Sequence, residues 1–347
     1  MVQEQSSQER GRITVEGFDA DVVENREQLS SWEPELQSEE GKGRLYYAWR
    51  RFKQNRLAVL GGAIIVVMVL VTVFSRPIRL PADLPVLAGQ TIQPFSLAPY
   101  DPSTQNLINA NQSPTTTHLF GTDWAGRDIL SRVMYGARWS LSIGFIAVGV
   151  AVLIGVPLGS IAGYYGGIID EIIMRIVDML YAFPFIVLAI AVIAILGRGY
   201  WEMIGALVAV GWIAYARIIR GEILSVKENE YVLAAKALGA RDRSIISRHI
   251  LPNAMAPVIV QATLSIGTTV LAAAALGFIG LGLSPASAEW GVMLNVGQDS
   301  LARGHWWITF FPGIAIFLFV MAVNLLGDGV RDAFDPQGDT GQSGGMR

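Results

Sequence analysis

Hydrophobic residues in this chain gather into six long runs that are separated by polar stretches. An α-helix needs about 20 apolar residues to cross a bilayer, and each run with its flanks meets that length. The first run contains no charged residue at all. The pattern therefore predicts an all-α polytopic membrane protein with six transmembrane helices. Their approximate limits are residues 57–74, 141–162, 179–196, 203–218, 255–276 and 306–326.

Basic residues between the runs indicate which ends face the cytoplasm. Six precede the first run, namely Lys42, Arg44, Arg50, Arg51, Lys53 and Arg56. Seven lie between the fourth and fifth runs or at their edges, namely Arg217, Arg220, Lys227, Lys236, Arg241, Arg243 and Arg248. The short loops 197–202 and 283–305 carry one arginine each. Lysine and arginine concentrate on the cytoplasmic side, so both termini are predicted there, in a plasma or inner cell membrane.

These boundaries divide the chain into five segments. The first forty residues hold eleven acidic and three basic residues, a composition typical of disordered chain. A short binding segment around Trp32 is the alternative interpretation of that tail. The predicted segments are an acidic cytoplasmic tail (1–45), a first transmembrane helix with a basic flank (46–75), an extracytoplasmic loop with an interfacial helix (76–138), a five-helix transmembrane core (139–326) and a cytoplasmic C-terminal tail (327–347).

The outer segment ends in the sequence GTDWAGRDILSRVMYGAR, residues 121–138. Its mixture of charged and apolar residues is typical of an amphipathic helix at the membrane surface. The charged residues Asp123, Arg127, Asp128 and Arg132 have the spacing of ion pairs along a helix. Local ion pairs are one interpretation of these residues, and contact with a transported substrate is the other.

The polar stretch of residues 228–252, which we call the island, differs from every other loop. Its first part, Tyr231 to Leu238, consists mostly of good helix formers and is followed by Gly239, as at a left-handed helix cap. A second helical run extends from Arg241 to Ile250, and Leu251-Pro252 is expected to end it. Small residues before the glycine allow another protein to approach closely. The island is therefore predicted to be a docking element.

Composition excludes several classes of function. The chain is 52% hydrophobic and 16% charged, whereas soluble domains carry about 25% charged residues. It has no cysteine and only three histidines, which are far apart in sequence. The phosphate-binding pattern GxxxxGK[ST] and the nucleophile-elbow and HExxH motifs are absent. A non-catalytic membrane protein without a bound cofactor or metal, and without a nucleic-acid partner, is expected.

Polar residues inside the predicted helices are few. Carboxylates occur only near the predicted cytoplasmic ends, which disfavours a carrier driven by protons or sodium. Gln261 and Asn324 are the most polar uncharged groups in the spans. Such groups need partners in lipid, so interhelical hydrogen bonds and the lining of a passage are the two interpretations. Energy for transport would have to be supplied by a partner protein, and the island is the predicted site at which that partner acts.

The island resembles the EAA loop of ABC importer permeases, E-A-A-x3-G-x9-I-x-L-P. Ala234, Ala235, Gly239, Leu251 and Pro252 occupy matching positions, whereas Leu233 replaces the family glutamate and His249 the isoleucine. RHILPN at 248–253 is the form usual in the peptide and nickel branch. Further similarity to the C-type subunit of dipeptide, oligopeptide and nickel permeases is carried by the blocks at 121–132, 163–184 and 324–336. At FIGLG, residues 278–282, the preceding Glu and Ser of the family are replaced by Ala273 and Gly277.

The resemblance implies a type I ABC importer permease fold with cytoplasmic coupling helices. It implies four kinds of partner: a second related permease, two cytoplasmic ATPase subunits that bind ATP and magnesium, an extracytoplasmic solute-binding protein, and the bilayer. The residues expected to couple to the ATPase are Glu230, Tyr231, Ala234, Ala235, Gly239, Ala240, Arg243, His249, Leu251 and Pro252. Glu230, one turn before Leu233, is the substitute for the missing glutamate.

The resulting hypothesis is a permease subunit that forms the translocation pathway for dipeptides and oligopeptides. The same machinery importing nickel or another small solute is the alternative within the family. An ion-coupled secondary carrier and a structural membrane scaffold are the alternatives of another class. The carrier would transport without an ATPase, and the scaffold would tolerate loss of the island.

Overall fold

A computed structural model describes residues 44–75, 78–79, 91–92 and 97–334 of the chain. These residues are helical apart from one short strand pair and the connecting loops, which confirms the predicted all-α fold. Residues 1–43, with Trp32, and residues 335–347 lie outside the described residues. The interpretations of the two tails therefore stay predictions.

The elements follow one another in a simple order, and the chain divides into two units between Arg51 and Phe52. The described part of the first unit is the helical start of α1, and the second unit holds every other element. The helices are α1 Arg44–Gln54, α2 Arg56–Phe74, α3 Ile129–Tyr165, α4 Gly167–Tyr181, α5 Phe185–Leu196, α6 Tyr200–Val226, α7 Glu230–Ala237, α8 Asp242–Ser244, a π-helix Ile245–Ile250, α9 Leu251–Phe278, α10 Trp290–Ala302 and α11 Trp307–Phe334. The strands are β1 Ile78–Arg79 and β2 Thr91–Ile92, and Leu107–Asn109 form a 3₁₀ turn.

Helices α3 and α6 lie side by side and point in the same direction. A Cβ atom on Gly155 would lie 2.4 Å from the carbonyl oxygen of Trp212, and one on Gly163 would lie 3.0 Å from that of Arg220. Glycines four residues apart remove the side chains from one helix face, so two backbones can approach closely. Later residues of α3 contact later residues of α6, so the two helices are parallel and end on the same side of the membrane.

The chain must recross the membrane between these two parallel helices, and α4 and α5 make that crossing together. Asp170 of α4 lies 2.5 Å from Arg220 near the end of α6, whereas Ile193 of α5 packs in one cluster with Met203 near its start. The pair thus follows α6 along its length in the opposite direction. Helix α5 alone spans about 18 Å, short of the roughly 30 Å of a bilayer core.

The third crossing is therefore a broken span, bent by 94° between α4 and α5. The break falls at residues 182–184, where Pro184 lacks an N–H and disfavours helical geometry at the preceding residue. The five other candidate spans are α2, α3, α6, α11 and the continuous helix of residues 242–278. With the broken span they make the six predicted crossings. The third crossing, however, begins at Gly167 and not at Met179.

An even number of crossings returns the chain to the side from which it started. Asn55 caps α2 through the N–H groups of Leu57 and Ala58, and its side-chain amide donates to Asp332 in the last turn of α11 (2.9 Å). A Cβ atom on Gly61 would lie 2.5 Å from the carbonyl oxygen of Ala322. The start of α2 and the end of α11 therefore lie on one side. The island follows the fourth crossing and lies on that same side.

The helix predicted for residues 121–138 is found only over residues 129–138, where it forms the first turns of α3 and is not a separate interfacial helix. Residues 121–128 form a folded loop in which Gly121 and Gly126 have φ angles of +73° and +72°. These left-handed conformations favour glycine and interrupt a helix. Asp128 then caps α3, which begins at Ile129 and runs through the second predicted span without a break. The charged residues of this loop are buried among other loops, which the helical pattern of the sequence did not reveal.

Leu251-Pro252 does not end the second helix of the island, contrary to the prediction. The chain passes from α8 through the π-helix into α9 as one continuous helix. The N–H of Leu251 donates to the carbonyl of Ile246, five residues earlier. Proline lacks an N–H donor, and it is tolerated in the first turn of a helix. Pro252 occupies that position in α9 and is accommodated because the π-turn has already shifted the hydrogen-bond register.

We predict that Gly159→Ala destabilises the protein, whereas Gly149→Ala in the same helix does not. A Cβ atom at Gly159 would lie 2.2 Å from the carbonyl oxygen of Ala216, while nothing lies within 4 Å of one at Gly149. Overpacking of this kind costs roughly 1–3 kcal/mol. The melting temperatures of the purified variants in detergent measure the difference. Equal melting temperatures would contradict the close packing of α3 on α6.

Candidate functional site

The island is held against the membrane helices by three apolar side chains. Val232 of α7 is 3% exposed, and Ile245 and Ile250 of the π-helix are fully buried. They share one cluster with Ile219 and Ile223 in the last turns of α6. Val232 is the one buried residue of α7, so the remainder of that helix faces outward.

The outward surface of the island is apolar as well as charged. Leu238 is 89% exposed, and Tyr231 and Leu233 are each close to half exposed. Exposed apolar residues that form a contiguous patch mark interaction surfaces. Leu238 was absent from the predicted coupling residues. Leu238 lies beside the capping glycine and outside the amphipathic pattern of the helix. That position is the sequence signal that could have identified it as an exposed contact residue.

Gly239 ends α7 in the conformation that the sequence predicted. Its φ angle is +78°, and nothing lies within 4 Å of where a Cβ would be. The N–H of Gly239 donates to the carbonyl of Lys236 (3.0 Å), and that of Ala240 donates to Ala235 (3.1 Å). The second bond and the half-buried Ala240 match the Schellman arrangement of helix ends. The bend is therefore defined by backbone hydrogen bonds and by a glycine in left-handed geometry.

The structure brings the predicted coupling residues together on this one side of the membrane, although not on one surface. Those that are exposed are Glu230, Tyr231, Ala234, Gly239, Arg243 and Pro252. Those that are partly buried are Ala235, Ala240, His249 and Leu251. Glu230 forms no ion pair with any described residue. It is therefore available to a partner, as the substitute for the family glutamate would have to be.

A cluster of buried charges orders the opposite side of the molecule, which we call the outer cap. The guanidinium of Arg127 donates to Asp123 (2.7 Å), and the Nε of Arg132 lies 3.7 Å from the same carboxylate. Arg132 also donates to the carbonyls of Pro102 (3.1 Å) and Ser287 (2.8 Å). All three charged side chains are buried. This confirms the interpretation as local ion pairs, and leaves these groups no access to a substrate.

Two further carboxylates of the outer cap begin helices. Asp128 accepts from the N–H and hydroxyl of Ser131 and lies 2.9 Å from the Nδ1 of His118. Glu289 is buried, caps α10, and accepts from the hydroxyl of Ser140 in α3 (3.1 Å). Burial raises the pKa of the Glu289 carboxyl, and hydrogen bonds from the backbone of α10 and from Ser140 oppose that shift. Each carboxylate thus connects a helix terminus to a second segment.

A groove of about 780 Å³ opens beside the break in the third crossing. Tyr181 and Phe183 line it from the break, and Ser265, Thr268 and Thr269 line it from α9. The rest of its wall is largely apolar. The three hydroxyl-bearing residues occupy one helix face, a pattern that the sequence contained but that was not recognised. The groove is the candidate passage on this chain.

The two polar residues singled out in the spans do not make the expected interhelical hydrogen bonds. The side-chain amide of Gln261 donates to Ser265 in the same helix (3.1 Å), one turn before the groove. Asn324 is exposed on α11 and forms no hydrogen bond with any described residue. A hydrogen bond within a helix satisfies Gln261 without a second helix. No cluster of His, Asp or Glu able to hold a metal occurs in the described part of the chain.

Comparison with protein families gives two matches. The family described as binding-protein-dependent transport system inner membrane component matches residues 155–337. The family described as N-terminal TM domain of oligopeptide transport permease C matches residues 44–114. The first covers about half of the chain and includes the island, the broken span and most residues that line the groove.

Curated relatives match along most of their length. The dipeptide transport system permease protein DppC of Bacillus subtilis is 39% identical, over 96% of this chain and 97% of that protein. Its namesake in Alkalihalophilus pseudofirmus is 44% identical, over 84% and 89%. The glutathione transport system permease protein GsiD of an Escherichia coli strain is 42% identical, over 83% and 89%.

We predict that Arg132→Met lowers the melting temperature far more than Arg138→Met does. Arg132 is buried and joins three segments, and removing one member of a buried charged network costs about 3–5 kcal/mol. Arg138 is only partly buried, and its hydrogen bond is to the hydroxyl of Tyr135, three residues earlier. Thermal unfolding in detergent makes the comparison. Shifts of equal size would show that the Arg132 network does not order the outer cap.

Proposed function

This chain belongs to the family of binding-protein-dependent transport system inner membrane components, and we propose that it is the transmembrane permease subunit of an ATP-driven importer of dipeptides and oligopeptides. The peptide assignment is supported by relatives named for dipeptide and for glutathione, which is itself a tripeptide. Import of nickel or another small solute by the same machinery is the alternative within the family.

The island is proposed to be the surface on which a cytoplasmic ATPase docks. The observation that carries this proposal is a short helix anchored by the single buried residue Val232, with Leu238 exposed at its end. Such a surface is unfavourable in water and is stabilised when a partner covers it. Basic residues surround it, and Glu230 is unpaired among the described residues. ATP and magnesium would be bound by the partner, and closure of the ATPase would move the island.

The orientation follows from the same argument about charge. The island carries the exposed basic residues Lys236, Arg241, Arg243 and Arg248, which favours the cytoplasmic side. Both termini would then be cytoplasmic, and the outer cap would face the solute-binding protein outside. The exposed Asn324 on α11 is then available to a second permease subunit, with which this chain would form a heterodimer. The groove between α9 and the broken span would contribute half of the passage.

A carrier driven by an ion gradient is disfavoured by the state of the carboxylates in the broken span. Asp170 accepts two hydrogen bonds from Arg220 (2.5 and 2.6 Å), and Asp178 accepts one from Arg217 (2.5 Å). Both carboxylates are thus occupied by arginine side chains of α6 and are not free to bind a transported ion. The scaffold alternative predicts no effect of the island on transport.

Co-purification tests the proposal directly. The tagged protein is extracted in mild detergent from cells that express its transport operon, and copurifying proteins and ATPase activity are measured. The experiment is repeated with residues 228–252 scrambled. An ATPase that accompanies the native protein and is lost with the scrambled island supports docking. Peptide uptake by vesicles that contain this chain and no ATPase would establish the carrier instead.

We predict that Gly239→Val leaves the protein in the membrane but uncouples ATP hydrolysis from peptide uptake. A β-branched residue resists the φ angle of +78° at this position. Gly221→Val is the control, because Gly221 also has open space around its Cβ but has no left-handed φ angle. Uptake and ATPase activity in proteoliposomes are compared. Normal coupling in Gly239→Val would refute the role of the bend.

We predict that Leu238→Asp reduces the amount of ATPase recovered with the permease at least tenfold. The substitution introduces a charge where an apolar contact would be buried, and burying an unpaired charge is strongly unfavourable. Because Leu238 is 89% exposed, the fold of the permease itself should be unaffected. Leu238→Met, which stays apolar, should bind as the native protein does. Undiminished recovery with Leu238→Asp would exclude Leu238 from the interface.

A further inference from the structure

The last turn of α3 contacts the chain on both sides of the bend at Gly239, once just before the island and once within it. The ammonium of Lys227, just before α7, donates to the carbonyl of Gly163 (3.1 Å). The hydroxyl of Tyr164 donates to the carboxylate of Asp242, which opens α8 (2.7 Å). We call these four residues the island clamp. Two adjacent positions of one membrane helix therefore connect to the island on both sides of the bend at Gly239.

Each bond of the island clamp joins an N–H or O–H donor to an oxygen acceptor. The carbonyls in the last turn of a helix lack partners within it and carry partial negative charge, which favours a lysine. The Tyr164 bond has the usual length of a bond between a hydroxyl and an oxygen acceptor. It is exposed, whereas the Lys227 bond is partly buried, so the Tyr164 bond contributes less to stability than a buried bond would. Their main effect is to orient α7, whose only buried residue is Val232.

Beyond the island clamp the chain passes directly into the broken span. Gly166 and Gly167 have φ angles of +66° and +56°, and nothing lies within 4 Å of where their Cβ atoms would be. Glycines in open space can change their backbone angles at little cost. Helix α4 follows and is fixed to α6 through the paired hydrogen bonds of Asp170 to Arg220. Because α3 packs closely on α6 and α4 is fixed to α6, a movement of the end of α3 reaches α4 through α6, while the two glycines let the connecting backbone adjust. Helix α4 leads in turn to the break that borders the groove.

We propose that Tyr164 is a positioning residue that transmits movement of the island, through the end of α3, to the broken span beside the groove. This proposal rests on the proposed function of the island as the ATPase docking site. Without the Tyr164 hydroxyl, the ATPase still binds the island, but a movement of the island displaces α3 less than it does in the native protein. The expected defect is in coupling and not in assembly.

The neighbouring tyrosine provides a matched control. Tyr165 is about half exposed, and its ring packs edge-on against that of Tyr164 with centroids 5.1 Å apart. Its hydroxyl makes no hydrogen bond with any described residue. Tyr164→Phe and Tyr165→Phe each remove one hydroxyl from adjacent positions, and only the first breaks the island clamp.

The test uses the complete importer, with its ATPase subunits and binding protein, in proteoliposomes. The ratio of ATP hydrolysed to peptide imported is measured for each variant. We expect Tyr164→Phe to raise this ratio by about threefold to tenfold, since a typical intramolecular hydrogen bond is worth roughly that factor in an equilibrium. Tyr165→Phe should leave the ratio unchanged, and the amount of bound ATPase should be native in both.

A second variant separates transmission from a general loss of structure. If Tyr164 acts through Asp242, Asp242→Ala should raise the ratio similarly, and the double variant should be no worse than either single variant. An unchanged ratio in Tyr164→Phe with native ATPase binding would overturn this proposal and leave docking intact. Failure of the ATPase to bind the native island would overturn the docking proposal itself.

Discussion

The close parallel contact between α3 and α6 is the constraint on which the rest of this structure depends. Gly155 and Gly163 bring the two backbones together because a side chain on either glycine would meet a carbonyl of α6. Two parallel neighbours connected in sequence require a third segment that runs the other way. That segment is the broken span of α4 and α5, and the groove beside its break follows from the same requirement. The contact also places the end of α3 beside Lys227, where it can hold the island.

The two faces of the protein are built on different physical principles. The outer cap is ordered by buried ion pairs and helix caps, in which Arg132 alone joins three segments. Buried charges of this kind tolerate little rearrangement, because any separation leaves a charge unpaired. The island side is held by a few apolar anchors and by water-accessible hydrogen bonds. An outer cap with little freedom to rearrange and an island with adjustable contacts suit the proposed permease, in which movement would enter at the island alone.

Two departures from expectation have the same physical origin. A sequence pattern describes one segment, whereas the conformation of that segment also depends on its contacts with other segments. The charges of residues 121–132 have helical spacing, but two glycines in left-handed geometry fold residues 121–128 into a loop, and Asp123, Arg127 and Arg132 are buried around it. Pro252 is a helix breaker in isolation, yet it lies in the first turn of α9, after a π-turn that shifts the register.

Local physical properties of the sequence were sufficient to predict the six crossings, the single side shared by the start of α2, the end of α11 and the island, and the bend at Gly239. Hydropathy, the placement of basic residues and the steric freedom of glycine act within a few residues. Their structural effects can therefore be predicted without knowledge of the tertiary structure. The start of the third crossing at Gly167, the burial of Asp123 and Arg132, and the island clamp at Tyr164 were decided by the tertiary structure alone. Each depends on which distant segments meet, and that information is carried by the packing of α3 on α6 and not by any single stretch of the chain.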